Sequence, residues 1–244
     1  MTRAFRTGIF AVALLAAAPA MAADMSVQAP VVATAPAAPI NWSGFYFGGS
    51  VGGAWDHPDQ WLFPFFGSST KPPGGSGVVG GIHTGTNWQF GQLLVGTESS
   101  FRLTDLKSST TCPNPTTTCQ QRERDIATFG GRLGWTLNDW LLFGAGGYAS
   151  TLVETSVLSK ATGGFNDGTT HRHSGWYAGA GVDYAWTPNI IVGIQYTHVN
   201  IDSRVDGSVP FPDVDDRRVG GKIDMVEARV SLKLWNGMWG PFSK

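Results

Sequence analysis

Segments of about ten residues, in which apolar side chains alternate with small or polar ones, recur from residue 43 to residue 234. Successive side chains of a strand point to opposite faces, so this alternation predicts β-strands with one apolar face. We place eight strands at residues 43–55, 78–89, 92–103, 124–137, 140–152, 173–186, 189–201 and 222–234. The repeat restricts the chain to an all-β fold.

The connections between these strands alternate in length. Long stretches cover residues 56–77, 104–123, 153–172 and 202–221, and minimal turns lie at Phe90-Gly91, Asn138-Asp139 and Thr187-Pro188. Barrels of bacterial outer membranes have long loops outside and short turns in the periplasm. The pattern predicts an eight-stranded antiparallel up-and-down transmembrane β-barrel with both termini in the periplasm.

The alternation also predicts which face meets lipid. The apolar positions that we expect on the lipid face are Phe129, Leu133, Ala180, Val182, Val192, Ile194 and Val230. A lipocalin-like soluble barrel, apolar inside and polar outside, is the alternative. The polar face argues against it, because it consists of glycine, small residues and isolated charges, whereas a water-exposed surface carries many Lys and Glu side chains. Charged residues are only 14% of the chain, against about 25% in ordinary domains.

The ends of the chain predict export. Arg3 and Arg6 precede an apolar run, and Ala20-Met21-Ala22 is a small-x-small cleavage site, so residues 1–22 read as a signal peptide. Residues 23–40 form an Ala/Pro-rich periplasmic linker, residues 41–235 the barrel, and residues 236–244 a short C-terminal tail. In an exported chain, Cys112 and Cys119 are expected to form a disulfide.

Tryptophans mark the predicted strand ends. Six fall at the periplasmic ends, namely Trp42, Trp88, Trp135, Trp140, Trp186 and Trp235. Trp55 and Trp176 fall at the opposite ends. Indole rings favour the membrane–water interface, so these residues predict two aromatic girdles. Ordinary core tryptophans are the alternative.

Several sequence blocks resemble the alphaproteobacterial small outer-membrane proteins, which are OmpA/OmpX-like eight-stranded barrels often described as porin family. The blocks cover residues 41–55, 87–101, 132–149 and 174–201. The resemblance implies surface proteins that support envelope integrity, some of which bind haemin or contribute to host interaction. The chain departs from the pattern at its end, because nine residues follow Trp235 where relatives usually end at an aromatic residue.

Charged residues of both signs occupy the predicted inward face: Glu98, Arg102, Arg132, Asp183, Glu227, Arg229 and Lys233. An eight-stranded barrel leaves room only for side chains, and buried charges must be paired. We therefore expect a salt-bridged plug with the three carboxylates as acceptors for the arginines and the lysine. The near-neutral balance, with 17 basic and 18 acidic residues, gives no electrostatic signature of nucleic-acid binding.

Other clusters are interpreted as structural. His171-Arg172-His173 has the residue types of a metal or haem site but no further ligand at a diagnostic spacing, so we interpret it as a solvated loop end. The acidic stretch of Asp213, Asp215 and Asp216, with Arg217 and Arg218, lacks the EF-hand glycine and reads as a self-neutralising loop with a weaker possibility of divalent-ion or lipopolysaccharide contact. No cofactor or metal site is predicted.

Enzyme activity is the weakest hypothesis. Glycine-rich pieces such as Gly144–Gly147 and Gly179–Gly181 lie inside strands without a following helix, so they do not match a dinucleotide fingerprint. Ser99, His83, His198 and Asp183 have the residue types of an outer-membrane hydrolase, but no nucleophile motif accompanies them.

The leading prediction is a structural envelope protein whose loops face outward. The alternatives are a surface protein that binds haemin or a host surface through aromatic loops containing Trp61, Phe63, Phe65 and Phe66, and a small diffusion porin. Expected partners are outer-membrane lipid, lipopolysaccharide and the barrel-assembly machinery.

Overall fold

Ten β-strands make up the regular structure in a computed structural model that describes residues 40–59, 61–63, 68–112, 114–206 and 217–234. Their bounds are β1 Gly44–Pro58, β2 Trp61–Phe63, β3 Ser68–Thr70, β4 Ser76–Phe90, β5 Leu93–Thr111, β6 Thr117–Leu137, β7 Trp140–Ser159, β8 Phe165–Ala185, β9 Ile190–Asp206 and β10 Arg217–Lys233. Among the described residues, no helix is long and apolar enough to span a membrane.

The eight long strands close into a ring. Each of them pairs antiparallel with its sequence neighbour among the long strands, in the order β1, β4, β5, β6, β7, β8, β9, β10. Strand β10 then pairs with β1 from Tyr46↔Lys233 to Pro58↔Gly221. The predicted all-β, eight-stranded antiparallel up-and-down barrel is therefore confirmed. The short strands β2 and β3 pair with each other, and Leu62 of β2 adds one pair to β10.

The two ends of the barrel differ. At the turn end, short turns join β4 to β5, β6 to β7 and β8 to β9. Two of these turns use the left-handed backbone region, with φ values of 64° at Gly91 and 54° at Asn138, which glycine and asparagine adopt more easily than other residues. At the hairpin end, the strands continue well past the positions that sequence alternation indicated.

The expected long loops at residues 104–123 and 153–172 are wrong. Strands β5 and β6 stay paired as far as Thr111↔Thr118, and β7 and β8 stay paired as far as Leu158↔Phe165. Both segments are rich in Ser and Thr, so they carry little apolar alternation. Their β-branched threonines nonetheless suit an extended ladder.

The side chains described here point to the faces of the strands that the sequence predicted. Phe129, Leu133 and Ile194 are exposed on the outer face. Glu227, Arg229 and Ser231 alternate with outward Val226, Ala228 and Val230 on β10 and are buried inside the ring. The barrel interior, rather than a contact between two sheets, is therefore the core. The predicted signal peptide, nearly all of the linker and the C-terminal tail lie outside the described residues.

Candidate functional site

The barrel interior is built in layers. An apolar layer near the turn end contains the buried side chains of Trp42, Leu94, Leu141, Phe143, Ala185 and Ile191. A second apolar layer, nearer the hairpin end, contains Ala54, Val79, Leu106, Ile126, Ala149, Tyr177, Val199, Ile201, Ile223 and Met225. Between them lies a charged layer of three carboxylates and three guanidinium groups: Glu98, Asp183, Glu227, Arg102, Arg132 and Arg229. The charged layer is thus enclosed by apolar side chains on both sides.

Arg132 of β6 reaches across the interior to Asp183 of β8. Its Nη2 atom donates to the carboxylate Oδ2 of Asp183, and its Nη1 atom donates to the Tyr46 hydroxyl at 3.2 Å. The guanidinium carbon also lies 3.6 Å from the ring centroid of Phe143. A guanidinium group stacked on an aromatic face and paired with a carboxylate is well suited to a desolvated site.

Arg229 of β10 forms the second pair of the layer. Its Nη2 and Nη1 atoms donate to Oε2 and Oε1 of Glu98 at 2.6 and 3.2 Å, which makes the contact bidentate. Glu98 also accepts a 2.8 Å hydrogen bond from the Tyr46 hydroxyl, and Arg132 lies 3.6 Å from its Oε2. The Nε atom of Arg229 approaches Asp183 at 3.8 Å. Both arginines therefore share both carboxylates.

Arg102 of β5 and Glu227 of β10 form the third pair. The Nε atom of Arg102 donates to Oε2 of Glu227 at 2.8 Å, and the Ser50 hydroxyl donates to Oε1 at 2.7 Å. The Nη1 atom of Arg102 donates to the hydroxyls of Ser100 and Thr128. Both side chains of the pair are almost fully buried, so each charge is compensated where water cannot reach it.

Glycines make room for these long side chains. Glu98 has Gly85 and Gly130 as its register partners, and Asp183 and Arg229 both have Gly193. A Cβ atom at Gly130 would lie 2.7 Å from the Tyr177 hydroxyl and closer still to the carbonyl oxygen of Gly146. The interior glycines that the sequence indicated therefore act as spacers within a crowded lumen.

Lys233 does not join the charged layer, contrary to the sequence prediction. Its Nζ atom donates to the backbone carbonyl of Asn41. Lys233 is the last residue of β10 and is register-paired with Tyr46. It therefore lies closer to the turn end than Arg229, next to the chain segment that precedes β1.

Among the described tryptophans that were predicted to form the girdles, one does not lie on the outer face. At the turn end Trp135, Trp140 and Trp186 are exposed and Trp88 is half-buried, and at the hairpin end Trp55 and Trp176 are exposed. Trp42 is wrong as a girdle residue because it is 1% exposed and packs inside the turn-end layer. Trp42 precedes β1, so the strand alternation does not determine its direction. Trp235 lies outside the described residues.

The His171-Arg172-His173 cluster is part of β8, not a loop end. His173 is buried inside the barrel, whereas Arg172 reaches Asp125 with an Nη2–Oδ2 distance of 2.9 Å. The predicted solvated position is therefore wrong for His173, because β8 extends farther than expected. Arg217 and Arg218 begin β10, while Asp213, Asp215 and Asp216 lie outside the described residues.

The residues considered for hydrolysis are not brought together. His83 faces the interior, where its Nε2 atom lies 2.7 Å from the Ser231 hydroxyl, and Asp183 pairs with Arg132. His198 lies on the outer face, with Nδ1 2.7 Å from Asp224. Ser99 is register-paired with Phe129, whose side chain is exposed on the outer face. These side chains form separate structural contacts rather than one nucleophile–base set.

The predicted disulfide joins Cys112 and Cys119, with a Cα–Cα distance of 5.1 Å, at the tip of the β5–β6 hairpin. Val153 of β7 packs against it. Closer to the barrel body, the carboxylate of Asp105 contacts Arg122 and lies 3.1 Å from Lys107. The Arg122 guanidinium, and then Lys107, hold the pKa of Asp105 below its usual range. The hairpin is thus fixed at its tip and at its base.

Three residues that contact the charged layer were not predicted from the sequence. Tyr46 and Phe143 contact the arginines, and Gln195 accepts a hydrogen bond from Arg229. Period two predicts the inward direction of Tyr46, since Phe45 and Phe47 both point outward. The contacts between opposite sides of the ring have no signal in a single sequence.

Three features of the structure are typical of a membrane barrel. They are a closed ring of eight strands, an apolar outer face with aromatic ends, and a charged interior whose charges are compensated. The family model for the outer membrane protein beta-barrel domain matches residues 9–224. The chain belongs to this family. Together with relatives from Brucella and Rhizobium, this match confirms the resemblance to alphaproteobacterial small outer-membrane proteins, and the outer membrane is the compartment of this protein.

Relatives support the same assignment. The chain is 28% identical over 237 residues to a 31 kDa outer-membrane immunogenic protein of Brucella melitensis, covering 91% of this chain and 95% of the relative. It is 31% identical over 166 residues to a 22 kDa outer membrane protein of Rhizobium leguminosarum bv. viciae, covering 67% and 66%. Among solved structures it is similar to the outer membrane protein OprG from Pseudomonas aeruginosa, with 12% identity, a TM-score of 0.48, and coverage of 79% of this chain and 97% of that chain.

Proposed function

We propose that this barrel is a structural component of the outer membrane, with a closed interior and its hairpin end exposed outside the cell. The observation that carries the proposal is the charged layer enclosed between two apolar layers. Three carboxylates face three arginines, and all six side chains are at most 5% exposed. Eight strands leave an interior that side chains can fill.

The layer is suited to closing the lumen rather than to conducting ions. An aqueous pore needs water along its length, whereas here each guanidinium group is bound to a carboxylate and lies between apolar side chains. Removing one partner of a buried pair leaves an uncompensated charge, which is costly. The paired layer therefore links β5, β6, β8 and β10 across the ring, and the same reasoning disfavours the small-porin alternative.

The proposed orientation places the turn end, and with it both termini, in the periplasm. The short turns and the start of β1 lie at one end, and the extended hairpins lie at the other. Outer-membrane barrels generally have short periplasmic turns and longer extracellular connections. Outer-membrane lipid and lipopolysaccharide are then the partners of the outer face, and the barrel-assembly machinery is the partner during biogenesis.

We further propose that the protein is not an enzyme. Support comes from the separation of His83, Asp183, His198 and Ser99 into unrelated contacts. Both relatives described above are named as outer membrane proteins, without an activity.

Surface binding is a second candidate function. The β5–β6 hairpin favours this function. The hairpin extends beyond Leu103, which is an exposed apolar residue on the outer face, and a disulfide closes its tip. The Brucella relative is named an immunogenic protein, which supports a surface position for the hairpins of this chain. Haemin and host-surface molecules are the ligand classes to screen.

A genetic experiment separates the two roles. Deletion of the gene in its native bacterium should raise sensitivity to detergent and to large antibiotics, and the intact protein should restore resistance. A variant in which a two-residue Asn-Gly turn replaces residues 108–121 removes the hairpin tip beyond the Lys107↔Arg122 pair. This variant should restore resistance if the barrel itself supports the envelope. Unchanged sensitivity of the deletion strain would contradict the structural role, and loss of surface binding by the shortened variant alone would favour the second function.

A further inference from the structure

Two buried carboxylates at the hairpin end of the interior take no part in the charged layer. Asp56 of β1 is 2% exposed and Glu123 of β6 is 3% exposed. Oδ1 of Asp56 accepts a hydrogen bond from the backbone N–H of Gly75, and Oε1 of Glu123 accepts one from Nε2 of Gln121 at 2.6 Å. The second oxygen of each carboxylate, Oδ2 of Asp56 and Oε2 of Glu123, has no hydrogen-bond partner.

Both carboxylates line one small cavity. Thr151, Val153 and Ile201 complete much of its wall, and its volume is about 10 Å³, roughly the space that one water molecule or one small ion needs. The Ser108 hydroxyl is 4% exposed and lies beside the Asp56 carboxylate. Two carboxylate oxygens without a hydrogen-bond partner, from β1 and β6, therefore lie at this cavity, and we call this site the acidic chamber.

The charge of the acidic chamber is uncompensated by protein groups of the described chain. Neither Asp56 nor Glu123 forms a salt bridge among the described residues, whereas each carboxylate of the charged layer contacts an arginine. The hairpin-end apolar layer separates the chamber from those arginines. Two cationic residues lie nearby but are exposed: Lys222 of β10, which forms part of the cavity wall, and His57 of β1, which contacts Asp224 on the outer face. Two like charges buried without a cation are strongly unfavourable.

We propose that the acidic chamber binds one hard divalent cation, Ca²⁺ or Mg²⁺, from the external medium. Its donors are oxygen atoms only, which these ions prefer over nitrogen and sulfur. Described residues contain no cluster of three or more His, Cys, Asp or Glu side chains arranged for a metal. The remaining coordination positions are therefore filled by neutral oxygens and water. The bound ion neutralises Asp56 and Glu123 and ties β1 to β5 and β6 at the end of the barrel where the hairpins begin.

Calorimetry on the full-length mature barrel, refolded in detergent and freed of metal with EDTA, tests the proposal. Titration with CaCl2 and with MgCl2 should show about one ion bound per barrel, and the bound ion should raise the thermal unfolding temperature because it binds only the folded state. Glu123→Gln and Asp56→Asn should each weaken the affinity at least about tenfold. Glu154→Gln is the matched control, since Glu154 is a carboxylate near the same end that pairs with Arg124 outside the chamber.

Heat-modifiable gel mobility establishes that each variant is folded before it is titrated. The wild-type titration decides the matter even if a variant fails to fold. Absence of Ca²⁺ and Mg²⁺ binding by the wild-type barrel would overturn the proposal, as would equal loss of binding in the Glu154→Gln control. A third outcome would also overturn the proposal. If neither ion changes the unfolding temperature of the wild-type barrel, and Glu123→Gln unfolds at a higher temperature than wild type in EDTA, then a proton rather than a cation neutralises the pair.

Discussion

Replacing Arg132 with methionine removes the charge at the centre of the interior while keeping a long apolar side chain. Asp183 then loses the guanidinium group that donates to its Oδ2 atom, and its nearest remaining cation is Arg229, whose Nε lies 3.8 Å away. The contact with the Phe143 ring is lost as well. Breaking a buried ion pair from one side costs about 3–5 kcal/mol, so we expect Arg132→Met to lower the free energy of unfolding by that amount.

The double variant Arg132→Met/Asp183→Asn should recover part of this loss, because no uncompensated carboxylate remains. We expect the double variant to be more stable than the sum of the single variants by about 1–3 kcal/mol. Arg124→Met is the control, since Arg124 and its partner Glu154 are a partly exposed pair on the outside of the hairpin, and such pairs contribute about 0–1 kcal/mol.

Urea-dependent folding into phosphatidylcholine vesicles, followed by tryptophan fluorescence and gel mobility, measures these differences. The reasoning is refuted if the free energy of unfolding of Arg132→Met differs from that of the wild-type barrel by less than about 1 kcal/mol, which is the value expected of an exposed pair. It is also refuted if the effects of Arg132→Met and Asp183→Asn simply add.

Three further predictions concern the faces, the disulfide and the interior glycines. Ala180→Arg places a charge on the lipid face and should reduce the free energy of folding into vesicles by about 2–4 kcal/mol, whereas Ala145→Ser, at the inward position of β7 paired with Gly179, should have little effect; equal effects would contradict the register. Replacing Cys112 and Cys119 with serine should leave the barrel folded on gels, because a loop this short contributes about 2–3 kcal/mol at most; two reactive thiols in envelope-purified wild-type protein would contradict the disulfide. Gly193→Ala places a Cβ atom 2.6 Å from a carbonyl oxygen of β8 and should unfold at lower urea than wild type; unchanged stability would count against the crowded interior.

The faces of the strands were predictable because period two is a property of the backbone. In β8 the sequence places Tyr177 and Asp183 opposite Trp176 and Val182, and the structure buries the first two and exposes the others. The alternation fails where the ladder is irregular. A register shift between Glu123 and Ile126 puts both Asp125 and Ile126 inside. Because alternation counted back from Ile126 points Glu123 outward, its burial could not be predicted from the period of the strand.

The partners of the interior charges were only partly predictable. Composition and the narrow ring require that the charges be paired, but the pairs join strands that are distant in sequence, such as Glu98 and Arg229. Lys233 shows the consequence, since it shares a face with Arg229 yet lies too near the turn end to reach the carboxylates. Trp42 precedes the first strand, where period two does not apply, and it packs inside instead of joining a girdle.

The central claim is that the charged layer closes the lumen, and single-channel recording in planar lipid bilayers tests it most directly. The refolded wild-type monomer, at neutral pH and high salt, should show no steady conductance. Arg132→Met should lose stability before it opens a channel, because the apolar layers on either side remain in place. A stable, ohmic conductance from the unmodified monomer would contradict the account, since ions would then pass through a layer whose charges the structure shows paired and buried.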